Sequence, residues 1–556
     1  MKIFKNKNFV NILILFIVTI IICLPMVSNN LHVYYDDGIQ HIARAFGTFE
    51  AIKHGSFFGN VIPTFSNNFG YSWNIFYGSF TTFGIIFFEM LTGSYITGYK
   101  IFCFVCLLLS GITMYALVKN LSQNENIAVL AGSLYIMAPY HLTDLYIRNA
   151  LGEFASFIFI PVIFLGLYHL VKGEKGDWLF GLGSCLLLFT HNITCLYTAI
   201  LAIAYIIVNF KSFKNRKILK KLKINIVLIL LISSCFLFPM LEAKISSNYR
   251  VYEKDVMVST ESILEQRINL RRIFVTRNDE EFLFELGPYM IIMLAFSVMT
   301  IRSLKYEYRK DYLFFLFCGI VTMLMSTKIF PWNIMPSILK MIQFPWRCLE
   351  FTSFFFSIIA AINMGAVIKK FSLKDSIIII VIAIIYVIAL KDFVRYSEDV
   401  ITPIEDTKLG IITGMENECI SGMGRGEYLP EKAYKNRFYI ATREDRVYAI
   451  KGKAVIENEE KDGTNLKAKV TTFDEETCLE LPYIYYPGYE ITLDGMHIQS
   501  FETENGMLGI DMPKNEVTLL EVKYSGYEIA KTSMLVSIIG GFGLIIYIII
   551  TRKEKE

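Results

Sequence analysis

The chain has 556 residues, 54% of them hydrophobic and only 19% charged, with a mean hydropathy of +0.45. That is too apolar for a soluble enzyme, too rich in core formers for disorder, and unlike a disulfide scaffold. The net charge of +3 gives no sign of a nucleic-acid partner. The charge is unevenly spread. Residues 391–531 hold 17 basic and 27 acidic residues, net −10, which leaves +13 for the remainder. The sequence therefore predicts an α-helical polytopic membrane body over residues 1–390, an acidic soluble domain over 391–531, and an anchor with a short tail over 532–556.

Apolar runs suited to a bilayer recur at 10–27, 99–118, 127–140, 154–171, 178–190, 193–210, 226–241, 287–301, 312–326, 351–368, 377–390 and 533–551, twelve in all. The stretch 178–210 makes either two short helices broken at Thr190, His191 and Asn192 or one long helix. The first run lacks a small-residue cleavage site and is read as an uncleaved signal anchor. Basic residues crowd the start of the chain, 211–223, 302–310, 369–374 and the C-terminus, which places both termini in the cytoplasm. The apolar run 76–91 would invert every later basic loop if it crossed. It is therefore expected to lie in the interface, within one large external loop spanning 28–98. Any active site then faces out of the cytoplasm.

In that loop Asp37 is expected to cap a helix running to about Lys53, with Gly55 as its stop. Asp37, His41, Arg44 and Thr48 share one face of it, and Ile39, Ile42, Ala43, Phe46 and Phe49 share the other. This predicts a helix lying on the bilayer with a carboxylate, imidazole and guanidinium stripe turned to water. Two adjacent carboxylates, Asp36 and Asp37, call for a cation or a general-base role. The second external loop carries Tyr146, Arg148 and Glu153, where polar groups at membrane depth mark either a site or a helix-fixing ion pair. His191 sits at a helix break on the same face, either packed or reaching a cavity. Gln343, Trp346 and Arg347 precede a later span. A fork-shaped cation among aromatics suits a phosphate or a lipid headgroup.

Cys103 and Cys106 read as packing thiols. Cys419 and Cys478 lie in polar sequence, where an oxidising compartment would permit a disulfide. Residues 438–524 turn to period-two alternation with hairpin turns at Asp462-Gly463, Asp494-Gly495 and Asn505-Gly506, and predict a small β-sandwich with no catalytic constellation of its own.

These motifs in this order resemble the bacterial YfhO-like family and the related 6-pyruvoyl-tetrahydropterin synthase related membrane proteins, whose name does not imply pterin chemistry. The resemblance rests on Asp36-Asp37 with His41 and Arg44, on His54-Gly55 and Phe69-Gly70-Tyr71 with Phe76-Tyr77, and on Tyr146, Arg148 and Glu153. Thr190-His191, Gln343 to Arg347, Gly426 to Pro430 and Tyr486 to Tyr489 complete it, with Tyr489 where a Trp is common. It implies a GT-C-like fold with interfacial jaw helices and a glycosyltransferase. The donor would be a polyprenyl-phosphate sugar, and the acceptor an extracytoplasmic glycan, lipid or protein. Asp37 or Asp36 would serve as base in one inverting displacement, and His41, Arg44, Tyr146, Arg148, Glu153, His191, Gln343, Trp346 and Arg347 would line the substrate site. Arg347, Arg148 or a divalent cation (Mg or Mn) held by Asp36 and Asp37 would offset charge on the leaving phosphate. The alternatives are a transporter or flippase of lipid-linked sugars and a non-catalytic envelope scaffold. The ionisable residues gather at the rim rather than at mid-membrane, and no inverted repeat is evident, which favours the enzyme.

Overall fold

The computed structural model describes residues 7–28, 37–56, 59–253, 260–274, 284–304, 306–389 and 426–553. Asp36, Cys419 and the expected domain boundary near residue 391 fall outside them.

Among the described residues, six helices are long and apolar enough to cross a membrane: Lys7–Val27, Tyr95–Ser122, Leu151–Lys172, Arg216–Ser246, Pro345–Val367 and Glu528–Lys553. The other six expected segments also fall on helices, but these do not qualify. Trp178–Leu188 has 11 residues and Asn192–Val208 and Leu373–Ala389 have 17 each, while the 287–301 segment breaks at Phe296. Hydropathy windows run through such breaks, so twelve apolar runs become fewer helices of spanning length among the described residues. The stretch 178–210 resolves into two helices. His191 stands at the N-cap of the second, with the Thr194 amide nitrogen 3.4 Å from its Nδ1.

The predicted interfacial segment forms the helix Phe80–Thr92, which ends at Gly93 in the left-handed conformation (φ 71°). At about 1.5 Å per residue its 13 residues reach only ~20 Å, short of the ~30 Å hydrocarbon core. Phe83, Phe87, Met90 and Leu91 are exposed on one side, while the helix packs on Tyr95–Ser122 and on Gly38–Lys53.

The first-loop helix spans Gly38–Lys53 as predicted, with Asp37 at the capping position, where its side chain makes no capping bond to the helix. Its setting differs from the expectation. Beyond the exposed Asp37 the polar stripe is turned into protein, not water: Arg44 and Thr48 are fully buried, and so is His41 in practice. On the other face Ile39, Ile42, Ala43 and Phe46 are buried too. Periodicity reports that a face meets something polar. It cannot distinguish water from folded-back chain, here Asn74, Tyr77 and Gly78.

The C-terminal region holds nine strands: β1 Tyr448–Lys451, β2 Ala454–Asp462, β3 Asn465–Thr472, β4 Thr477–Ile484, β5 Tyr489–Leu493, β6 Met496–Ile498, β7 Ser500–Glu502, β8 Met507–Met512 and β9 Asn515–Tyr524. They form antiparallel sheets ordered β1-β4-β8-β7 and β2-β3-β9-β5-β6. All three predicted turns join strands as expected, with Gly463, Gly495 and Gly506 at positive φ. Within the alternating region, residues 448–462 form two strands in different sheets, parted at Gly452 (φ 73°).

These sheets dock on the first loop. Ile484 N–H donates to Phe69 O at 2.8 Å, Asn67 Nδ2 to Arg443 O at 3.0 Å and Asn465 Nδ2 to His54 O at 2.9 Å. His54 Nδ1 lies 2.7 Å from Asp462 Oδ1. The helices Arg216–Ser246 and Glu528–Lys553 run antiparallel. Glu242 accepts from the amides of Glu528 and Ile529 beside the sheets. At the far end Lys221 and Tyr547 both bond Asp177. The basic 211–223 loop thus lies at the end of the bundle away from the sheets.

That separation makes topology testable. A membrane-impermeant maleimide is expected to modify an Asp462→Cys chain in intact cells and to spare Lys217→Cys until the membrane is permeabilised. The reverse labelling pattern would invert the orientation.

Candidate functional site

Three segments distant in sequence converge on a buried ion cluster. Pro139 opens the helix Pro139–Tyr146, where its missing N–H costs nothing. The spacing of Tyr140, Asp144 and Arg148 by four residues brings all three to one side. Asn149 then turns the chain at φ 48°, so that Glu153 returns to the same place. Arg148 Nη1 donates to Asp144 Oδ1 at 2.5 Å, to Glu153 Oε2 at 2.9 Å and to Tyr140 Oη at 3.2 Å. The Tyr140 hydroxyl donates to Glu153 Oε1 at 2.5 Å. The Trp346 ring covers the guanidinium, with Cζ 4.4 Å from its centroid.

Arg347 enters from the start of another span. Its Nε lies 3.2 Å from Glu153 Oε2, and its Nη1 donates to Gln343 Oε1 at 2.6 Å. Glu153 therefore faces two arginines. Asp144 is different. Burial and the Glu153 carboxylate push its carboxyl well up, against the pull of Arg148, and its Oδ2 has no hydrogen-bond partner. The Arg347 side chain is 12% exposed and that of Arg148 4%, so Arg347 is the more accessible cation.

Tyr77 links this cluster to the first loop. Arg44, Asp37, Arg347 and Glu153 all act on its hydroxyl, and burial pushes it up to about 12. A Cβ at Gly152 would land on that hydroxyl and one at Gly78 on the Phe189 carbonyl, so the loop fits the 189–191 break only because both positions are glycine. Asp37 stands at the positive end of the Gly38–Lys53 helix, its amide donating to Arg148 O at 3.1 Å. The rings of His41 and His191 flank Tyr77, at 6.5 and 6.1 Å between centroids. Burial lowers both imidazoles to about 3, helped by Arg44 at His41 and by Arg347 at His191.

The structure thus gathers Asp37, His41, Arg148, Glu153, His191, Gln343, Trp346 and Arg347 around Tyr77 and Glu153. Of the two other expected residues among those described, one serves elsewhere, and Arg44 reaches the Tyr77 ring from beneath, its Cζ 4.9 Å from the centroid. The Tyr146 hydroxyl donates to Ile22 O at 2.5 Å and ties the loop to the first span. Arg44 is fully buried under the first loop, held by Asn74 Oδ1 at 2.7 Å and by the carbonyls of Tyr77 and Gly78 at 2.9 and 3.2 Å, so it faces the loop rather than an open cavity. Asp36, half of the expected metal pair, lies outside the described residues. Among the described residues no group of three His, Cys, Asp or Glu side chains is placed to hold a metal.

Sequence reasoning missed Asp144, Tyr77, Thr194 and Glu350. Two signals were available: Asp144 sits four residues before Arg148, and Glu350 is a carboxylate inside an apolar run, costly unless it has work to do.

Residues 75–395 match the family described as "6-pyruvoyl-tetrahydropterin synthase related domain; membrane protein". That range contains Tyr77, Asp144, Arg148, Glu153, His191, Arg347 and Glu350, and stops short of Asp37 and of the sheets. A relative described only as an uncharacterized protein, from Lactococcus lactis subsp. cremoris (strain MG1363), is 23% identical over 600 positions, covering 98% of this chain and 96% of its own. No solved structure matches.

Proposed function

The chain belongs to the 6-pyruvoyl-tetrahydropterin synthase related family of membrane proteins, and on that premise we propose that it is a GT-C-type glycosyltransferase. In this reading it moves a sugar from a polyprenyl-phosphate donor to an acceptor outside the cytoplasm. What supports the reading is the meeting of the Asp37 end of the first-loop helix with the Arg148, Glu153 and Arg347 cluster across Tyr77.

Asp37 is exposed and accepts the proton of the attacking hydroxyl as general base. The hydroxyl oxygen bonds to the anomeric carbon as the bond from that carbon to the phosphate oxygen breaks, inverting the centre. The polyprenyl phosphate departs with its electron pair toward Arg347. The guanidinium is preorganised by Glu153 and Gln343, so its donors need no rearrangement when charge develops. Arg148 carries three bonds already, so it sets the position of Glu153 rather than binding phosphate. No step here depends on a divalent cation.

The test is purified protein in proteoliposomes with a short-chain polyprenyl-phosphate sugar and a hydroxylated acceptor. Wild type should transfer sugar. Arg347→Gln should lose about 10²–10³ in rate, the scale of one lost oxyanion donor, and Arg347→Lys should keep part of it. If wild type moves the lipid-linked sugar across the bilayer without transferring it, the transporter reading replaces this one.

A further inference from the structure

Glu350 lies one turn beyond Arg347, on the first turn of the helix Cys348–Val367, and is 1% exposed. Its Oε2 accepts from the Thr194 hydroxyl at 2.8 Å, and its Oε1 has no hydrogen-bond partner. The same hydroxyl is 2.8 Å from His191 Nδ1. Thr194 is buried, and His191 is 5% exposed.

A hydroxyl has one proton to give. While Thr194 gives it to the Glu350 carboxylate, its oxygen can only accept from His191. The proton of a neutral imidazole then sits on Nδ1, and Nε2 keeps its lone pair. If the carboxylate is lost, the hydroxyl turns to Nδ1 and the ring proton moves to Nε2. The Thr194 backbone N–H, 3.4 Å from Nδ1, favours that second arrangement. The ring is thus held between two competing demands on one nitrogen. It stays neutral in both, because burial and Arg347 together hold it at about 3. Proton position, not charge, is what the network controls.

We infer that Glu350, acting through Thr194, decides which nitrogen of His191 carries the proton, and so whether His191 offers the site a hydrogen-bond acceptor or a donor. Glu350 is a positioning residue in this scheme. Among the described residues its one hydrogen bond is to Thr194, and through it the effect reaches a ring 6.1 Å from Tyr77 with Arg347, Glu153 and Arg148 acting on it. Resting on the glycosyl-transfer reading, the inference names the group recognised. An uncharged lone pair beside an arginine suits a sugar hydroxyl, which donates to Nε2 while the phosphate goes to the cation.

The experiment uses the full-length protein in lipid bilayers with ¹⁵N-labelled histidine, the His191 ring signals being identified by their loss in His191→Gln. Wild type and Thr194→Ser, which keeps the hydroxyl, should carry the proton on Nδ1. Thr194→Val and Glu350→Leu should both carry it on Nε2, in protein that accumulates normally. The same ring state in all four chains, or Nε2–H in wild type, overturns the relay. In the transfer assay, Thr194→Val and Glu350→Leu should each lose about tenfold to a hundredfold, the worth of one well-placed hydrogen bond. Because they break one relay, the double variant should be no worse than either. Additive losses, or a switched ring with transfer unchanged, overturn the link to substrate. If wild type transfers no sugar the functional reading falls, and the ring signals still decide the relay.

Discussion

Asp37→Asn should reduce glycosyl transfer by about 10²–10⁴, the usual cost of removing a general base, while the protein inserts and accumulates as before. Insertion should be spared because the carboxylate does not cap the helix through its side chain and because Asp37 is exposed. Its backbone bonds, to Arg148 O and from His41 N–H, do not depend on the side chain. Asp36→Asn should cost less unless a cation bridges the pair, in which case the two variants should be similarly inactive. Rates from a polyprenyl-phosphate sugar in proteoliposomes decide this. If Asp37→Asn and the double variant both keep wild-type transfer, the base lies outside this loop.

The second large effect is on stability. Arg148→Ala removes the cation from between two buried carboxyls and strips Trp346 of its partner. Breaking a buried ion pair from one side costs about 3–5 kcal/mol, enough to lower the melting temperature of the detergent-solubilised protein by several degrees and to reduce the amount in the membrane. Glu153→Gln should come close to this, since Glu153 faces both Arg148 and Arg347. Asp144→Asn should be the mild member of the set, because the Asp144 carboxyl is already pushed toward its neutral form. Melting curves for the three variants would rank them. If Asp144→Asn proves as damaging as Arg148→Ala, Asp144 is ionised in the cluster and its role must be reassigned.

The parts legible in the sequence were those set by local rules. The helix ending at Lys53, the break before Asn192 and the three glycine turns between strands each follow from a cap, a breaker or a turn residue. The sequence sent Arg347 to a phosphate or a lipid headgroup; its approach to Glu153, 194 positions away, obeys the same need of a permanent charge in apolar surroundings for a partner. Three things were not legible. Tyr146 and Arg148 look equally suited to a site, and only the fold sends one to the Ile22 carbonyl and the other to Glu153. The stripe on Gly38–Lys53 was readable, but not that Asn74 and the Tyr77 and Gly78 carbonyls would cover Arg44. Glu350 was passed over because its partner Thr194 is 156 positions away and is an ordinary helix residue by sequence.

The docking of the sheets on the first loop also bears on how the molecule is made. Asn67 waits for the carbonyl of Arg443, 376 residues later in the chain. At about 5–20 residues per second of synthesis, that is a delay of roughly 20–75 s. During that time the loop can close on Arg148 and on the 189–191 break, but the side that meets the sheets, at His54, Asn67 and Phe69, has left the ribosome without its cover. A chaperone that shelters that side of the newborn chain would have to arrive early and leave late.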